Sequence, residues 1–180
     1  MIFTESALAG AYLIDMDRIE DDRGFFARSF CAAEFAAHGL AADMPQSSVS
    51  FNSQRATLRG LHFQADPHAE DKLVRCTSGA IFDVIVDLRR ESSTHRRWLG
   101  IELTADNRRA LYVPKGFAHG FLTLVDGSEV LYMMSVPFVP GFDRGIRWND
   151  PALTIDWPLE PRHMSARDAA YPLLHSSTGS

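Results

Sequence analysis

The sequence predicts an all-β sandwich or barrel with short peripheral helices. Three observations carry this reading. Short apolar runs rich in Val, Ile, Leu and aromatics follow one another along the chain. Turn residues separate them at short intervals. The gaps leave no room for the helix that each strand of a parallel sheet requires.

The elements read in order as follows. Tyr12 to Ile14 is an early strand, and Asp21-Asp22-Arg23-Gly24 is a turn. Extended structure resumes over Phe25 to Phe30. Ala32 to His38 is the best helix candidate, because it is alanine-rich and is stopped by Gly39. Strands are then expected at Ser47–Asn52, Leu58–Phe63, Lys72–Thr77, Ala80–Leu88, Trp98–Leu103, Arg109–Val113, Phe121–Leu124 and Val130–Val136. The turns between them include Thr77-Ser78-Gly79, Thr104-Ala105-Asp106-Asn107 and Asp126-Gly127-Ser128. A length of 180 residues suits one domain over 1–180, with a frayed tail at 176–180.

Bulk properties exclude several functions. The net charge of -5 and the absence of a basic patch argue against a nucleic-acid partner. Arg89-Arg90 and Arg96-Arg97 read as solvated or ion-paired. Two cysteines do not make a disulfide framework. The N-terminus lacks the pattern of a signal peptide, and no apolar run approaches the roughly 18 residues of a membrane span. The expectation is a cytoplasmic protein without membrane contact.

Two segments carry chemistry. Leu58-Arg59-Gly60-Leu61-His62-Phe63-Gln64 places an imidazole and a guanidinium in a strand-like run, where each needs a partner. Taken alone, His62 reads more readily as a satisfied core histidine than as a catalyst. Tyr112-Val113-Pro114-Lys115-Gly116-Phe117-Ala118-His119 makes a tight turn at Pro114 and Gly116, with His119 at the start of the next strand. The pattern P-x-G-x-x-H resembles the second motif of cupins, small jelly-roll barrels. Many cupins hold a metal through a His-x-His, but His62 is followed by Phe63 and Gln64. His68, Glu70 or Glu102 would have to complete a set with His62 and His119, so no bound metal is expected. The acid–base candidates are His62, Lys72, His119, Tyr132 and a distant carboxylate. They suit removal of a proton beside a carbonyl and its return on the other face. Lys72 is equally readable as a surface lysine, and Tyr132 as core filler with its hydroxyl at the rim.

The chain resembles the dTDP-4-dehydrorhamnose 3,5-epimerase family, cupin-fold enzymes acting on deoxysugar nucleotides. The resemblance runs from about Asp21 to Asp168. It rests on Asp22-Arg23-Gly24-Phe25-Phe26, Leu58 to Gln64, Lys72-Leu73-Val74-Arg75-Cys76, Phe82 to Arg89, Pro114 to Phe121, Arg144-Gly145-Ile146-Arg147-Trp148-Asn149-Asp150-Pro151 and Asp156-Trp157-Pro158. It implies a general base at His62, paired with Asp168, and an acid at Tyr132 on the opposite face of the sugar. Lys72, with His119 nearby, would stabilise an enolate at C4. Arg59 and Arg23 would bind the diphosphate. Phe26, Arg28, Gln46, Ser48 and Phe138 would lie at further substrate-binding positions. The resemblance also implies a homodimer with an exchanged N-terminal strand, a small-molecule nucleotide-sugar substrate and no cofactor.

The pattern departs from the family where the nucleotide should sit. Arg28 stands in place of a common glutamate. Gln46-Ser47-Ser48-Val49-Ser50 replaces Q-x-N-H-S, and Pro137-Phe138 replaces a tyrosine pair. A guanidinium cannot make a carboxylate's hydrogen bonds, so these positions predict an altered nucleotide or sugar preference. Competing readings are a single-position epimerase or ketoisomerase, a metal-dependent cupin dioxygenase, and a non-catalytic sugar-nucleotide binder.

Overall fold

Side-chain parity along the strands sorts the chain into layers. The computed structural model describes residues 1–174. Strands β1 (Ile2–Glu5) and β2 (Tyr12–Asp15) lead to a hairpin of β3 (Ile19–Asp21) and β4 (Gly24–Phe26), then to helix α1 (Ala32–Ala37). Next come β5 (Gln46–Asn52), β6 (Leu58–Gln64), β7 (Lys72–Ser78), β8 (Ala80–Asp87), β9 (Trp98–Thr104), β10 (Ala110–Val113), β11 (Phe117–Thr123) and β12 (Ser128–Met134). Strand β13 (Asp143–Gly145) and helix α2 (Ala166–Ala170) follow. One antiparallel sheet has the order β1-β2-β10-β7-β12-β5, and the other β13-β6-β11-β8-β9.

The inner core joins the two sheets. Val74, Cys76, Leu111, Val113 and Val130 from the first meet Ile81, Ile85, Leu103, Phe117 and Phe121 from the second. The outer face of the first sheet is covered separately: Leu73, Ala110 and Tyr112 pack with Phe35 of α1. The outer face of the second, with Leu61, Val84, Val86 and Ala118, is covered by Ile146, Leu153 and Trp157 of the C-terminal segment. The central strands of each sheet are therefore buried on both faces. This explains why β8 and β11 read as nearly continuous apolar runs, without the polar/apolar alternation of half-exposed strands.

This is the jelly-roll sandwich that the sequence predicts, with local differences. The extended run expected over Phe25–Phe30 ends at Phe26. The helix expected to reach His38 stops at Ala37. There His38 caps it, its backbone N–H bonding the Phe35 carbonyl, and Gly39 follows at φ +70°. The strand expected at Phe121–Leu124 begins four residues earlier, at Phe117, so His119 lies inside it and not at its start. The strand expected at Val130–Val136 runs Ser128–Met134. Strands β1, β3 and β13 and helix α2 are too short to leave a periodic signal. The tail at 176–180 lies outside the described residues. No helix among the described residues is long and apolar enough to cross a membrane.

Candidate active site

A cavity of about 270 Å³ opens between the sheets. Parity places its polar groups. On β11, His119 is in phase with Phe117 and Phe121, so it points inward like them. On β7, Lys72 is in phase with Val74 and Cys76, and on β12 Tyr132 is in phase with Val130. All three line the cavity, together with Arg59 and His62 of β6. His62 and Tyr132 thus reach in from opposite sheets.

Two imidazole–carboxylate pairs sit side by side. His62 and His119 are register partners across β6 and β11. His62 Nε2 lies 2.7 Å from Asp168 Oδ1, and His119 Nε2 lies 2.8 Å from Asp83 Oδ1. Their surroundings differ. The His62 side chain is 44% exposed and faces solvent-accessible space, whereas that of His119 is 10% exposed. Burial pushes the Asp168 carboxyl up. The hydrogen bond and charge of His62, with help from Ser165 and the Gly60 backbone, outweigh this and hold it below the usual carboxylate range. Asp83 is fully buried, and burial pushes its carboxyl up against the pull of His119. Its Oδ2 has no hydrogen-bond partner among the described residues.

Asp168 comes from the far end of the chain. Ser165 caps α2 by accepting from the Asp168 N–H at 3.0 Å. Tyr171, just beyond, packs its ring edge-on to His62 at 5.6 Å. That ring occupies the space over Gly145, where a Cβ would lie 2.5 Å from it. Arg147 clasps the segment, its Nε donating to the Tyr171 carbonyl at 2.8 Å.

The substrate-binding candidates divide into two groups. Arg59 lines the cavity and donates from Nε to Asn52 Oδ1 at 2.7 Å. Phe138 lines it too, and its N–H donates to Gln46 Oε1 at 2.9 Å. Ser48 stands opposite Tyr132 in the β5–β12 register. Arg23, Phe26 and Arg28 do not line this cavity. The Arg23 side chain is 89% exposed and pairs with Asp21, and Arg28 approaches Glu34 at 3.9 Å.

Several cavity residues have no sequence signal that marks them as functional. Glu70, weighed from sequence only as a metal ligand, is ion-paired with Lys72. Arg144 and Arg167 line the cavity, and Arg167 pairs with Asp143. Ser50 also lines it, with a buried hydroxyl that has no partner among the described residues. No cluster of three or more His, Cys, Asp or Glu among the described residues has metal-holding geometry.

The family model described as dTDP-4-dehydrorhamnose 3,5-epimerase matches residues 5–176. The chain belongs to this epimerase family. The Salmonella typhimurium dTDP-4-dehydrorhamnose 3,5-epimerase is 42% identical over 176 residues, covering 97% of this chain and 96% of that protein. The crystal structure of the Bacillus anthracis epimerase with TDP and pyrophosphate bound superposes with a TM-score of 0.92 at 42% identity, covering 96% and 99% of the two chains. The Legionella pneumophila epimerase in complex with dTDP-4-keto-L-rhamnose superposes at 0.90 with 36% identity, covering 97% and 93%. The cupin jelly roll expected from sequence is the fold of this epimerase family.

Proposed function

We propose that the protein is an epimerase that inverts C3, C5 or both of a nucleotide-linked 4-keto-6-deoxyhexose, of the dTDP-4-dehydro-6-deoxyglucose type. The observation that supports it most directly is the His62–Asp168 pair facing Tyr132 across one cavity. A proton beside a ketone is acidic enough for an imidazole base once the developing enolate oxygen is stabilised. His62 takes that proton. With Nε2 committed to Asp168, Nδ1 is the nitrogen that accepts it, and the carboxylate stabilises the imidazolium. Lys72 and His119 hold the enolate oxygen. Tyr132, from the opposite sheet, returns a proton to the other face, which inverts the centre. Arg59 takes the diphosphate, which a forked guanidinium suits.

Solvent-deuterium exchange into the sugar tests this reading. Incorporation at C3, C5 or both by the wild-type protein is expected, and the positions labelled separate double from single epimerases. A purified protein that binds the sugar nucleotide without any exchange would be a binding cupin.

We also propose a homodimer. Ile19 and Phe26 on the β3–β4 hairpin are 69% and 68% exposed, and Val49 and Phe51 on edge strand β5 are 57% and 60% exposed. A second copy of the chain is the occupant that the family resemblance supplies for such apolar surface. In that arrangement Arg23, Phe26 and Arg28 serve the neighbouring subunit's cavity, which accounts for their distance from their own. Sedimentation equilibrium at twice the chain mass supports this, and a monomer at micromolar concentration counts against it.

A further inference from the structure

Glu70 and Lys72 form an ion pair in the wall of the cavity, with side chains only 3% and 11% exposed. Lys72 Nζ donates to Glu70 Oε1. The other carboxylate oxygen, Oε2, accepts from the backbone N–H of Gln64 at 3.2 Å. Gln64 in turn holds the segment carrying Phe138: its Oε1 accepts from the Val139 N–H at 2.7 Å, and its Nε2 reaches the Pro137 carbonyl at 3.4 Å. One carboxylate therefore ties the end of β6 and the start of β7 to the cavity rim.

A buried ion pair contributes little net stability compared with an apolar pair of the same size. Its place beside the proton-handling groups asks for another explanation. Lysine carries a compact charge on a flexible four-carbon stem. When an anionic substrate enters, an ammonium free to turn is drawn toward the diphosphate. Glu70 is the anion that competes for it within the wall. It satisfies one Nζ donor and leaves two for the sugar.

We propose that Glu70 is a positioning residue, which keeps the Lys72 ammonium at the sugar end of the cavity and away from the diphosphate. This rests on the role of Lys72 at the enolate oxygen. Glu70 does not touch substrate. Its effect belongs to turnover through Lys72, and not to nucleotide affinity.

The test combines Glu70→Gln, Glu70→Asp, Lys72→Met and the Glu70→Gln/Lys72→Met double variant. Solvent-deuterium exchange and kcat are measured with the dTDP-4-keto sugar, and Kd for dTDP by calorimetry. Glu70→Gln is expected to lower kcat and exchange by about ten- to a hundred-fold, as a small misplacement of a catalytic group does. The dTDP Kd should change less than about two-fold. Added to Lys72→Met, it should cost less than about two-fold more, because a residue acting through Lys72 has nothing left to act on. Glu70→Asp, which keeps the charge, guards against a misfolded glutamine variant and should show the same split with a smaller loss. Unchanged kcat in both Glu70 variants, losses that multiply in the double variant, or a matching loss of dTDP affinity would each overturn the proposal while leaving the Lys72 role intact. Full exchange in Lys72→Met would overturn that role and the proposal together.

Discussion

Arg59 and His62 lie three residues apart on β6, and both face the cavity. Regular alternation would send them to opposite sides of the sheet. A β-bulge resolves this: His119 pairs with His62 and Phe121 with Arg59, so three steps on β6 match two on β11. The extra residue is taken up at Gly60, at φ +129°, where a Cβ would lie 2.5 Å from the Gly120 Cα. Gly60→Ala should therefore destabilise the protein by about 3 kcal/mol or more, because neither the backbone angle nor the space admits a methyl group. A Tm within 2 °C of wild type would refute this account of the bulge.

His62→Ala should abolish deuterium incorporation at C3 and C5. Asp168→Asn keeps the shape but removes the charge that stabilises the imidazolium, and kcat should fall by roughly 10²- to 10⁴-fold. The hydrogen bond and charge of His62 hold the Asp168 carboxyl below the usual carboxylate range, so it stays ionised wherever an ordinary aspartate does. Near-normal exchange in His62→Ala removes it from the base role.

Tyr132→Phe should separate the two half-reactions. Proton removal by His62 survives, so exchange continues, while inverted product falls by about 10²-fold for want of the acid. Comparing label uptake with product formation in one sample is the measurement. Equal loss of both would mean that Tyr132 does not act as the returning acid.

Asp87 is expected to govern acid stability. It is fully buried and accepts from Arg89 Nε at 2.9 Å, Ser92 Oγ at 2.6 Å and Thr94 Oγ1 at 2.7 Å. Burial pushes its carboxyl up, but these donors outweigh burial and hold it well below the usual range. A carboxyl depressed on folding stabilises the native state fully above its unfolded value of about 3.9. That stabilisation is lost as pH falls through that value toward the folded one. Asp87→Asn should cost about 2 kcal/mol at pH 7 and flatten the melting curve against pH below about 4. A parallel acid limb in the variant would show that another carboxyl dominates.

Arg28, Ser48 and Phe138 predict a changed preference at the nucleotide or sugar end. Rates with dTDP-, UDP-, CDP- and GDP-linked 4-keto sugars measure it. A dTDP sugar used at ordinary efficiency, ahead of the other three, would sink the idea. Arg59→Lys should raise KM about ten-fold with any of them, since an ammonium cannot grip a diphosphate in two places.

The longer strands, their order along the chain and most of their bounds were legible in composition and turns, while β1, β3 and β13 were too short to be seen. Those signals are local, and the central strands of each sheet are apolar on both faces. His62 and His119 were visible as polar interruptions of such strands, whereas Lys72 read equally as a surface lysine and Tyr132 as core filler until the family resemblance gave them roles. Glu70 did not stand out, because a lone acidic residue before a strand is indistinguishable from a solvated one. Asp168 had no local signal at all: it sits on a five-residue helix whose only sequence mark is a capping serine.

The sequence by itself determined an all-β chain, since residue type and turn spacing suffice for that, and its resemblance to one family supplied the candidate acid, base and cationic residues. Only the tertiary structure decided who partners whom. The bulge at Gly60 turns Arg59 and His62 to one side, the C-terminal segment carries Asp168 across 106 residues to His62, and the start of β7 buries Lys72 against Glu70. These are choices of register and packing between segments distant in sequence, and no local pattern encodes them.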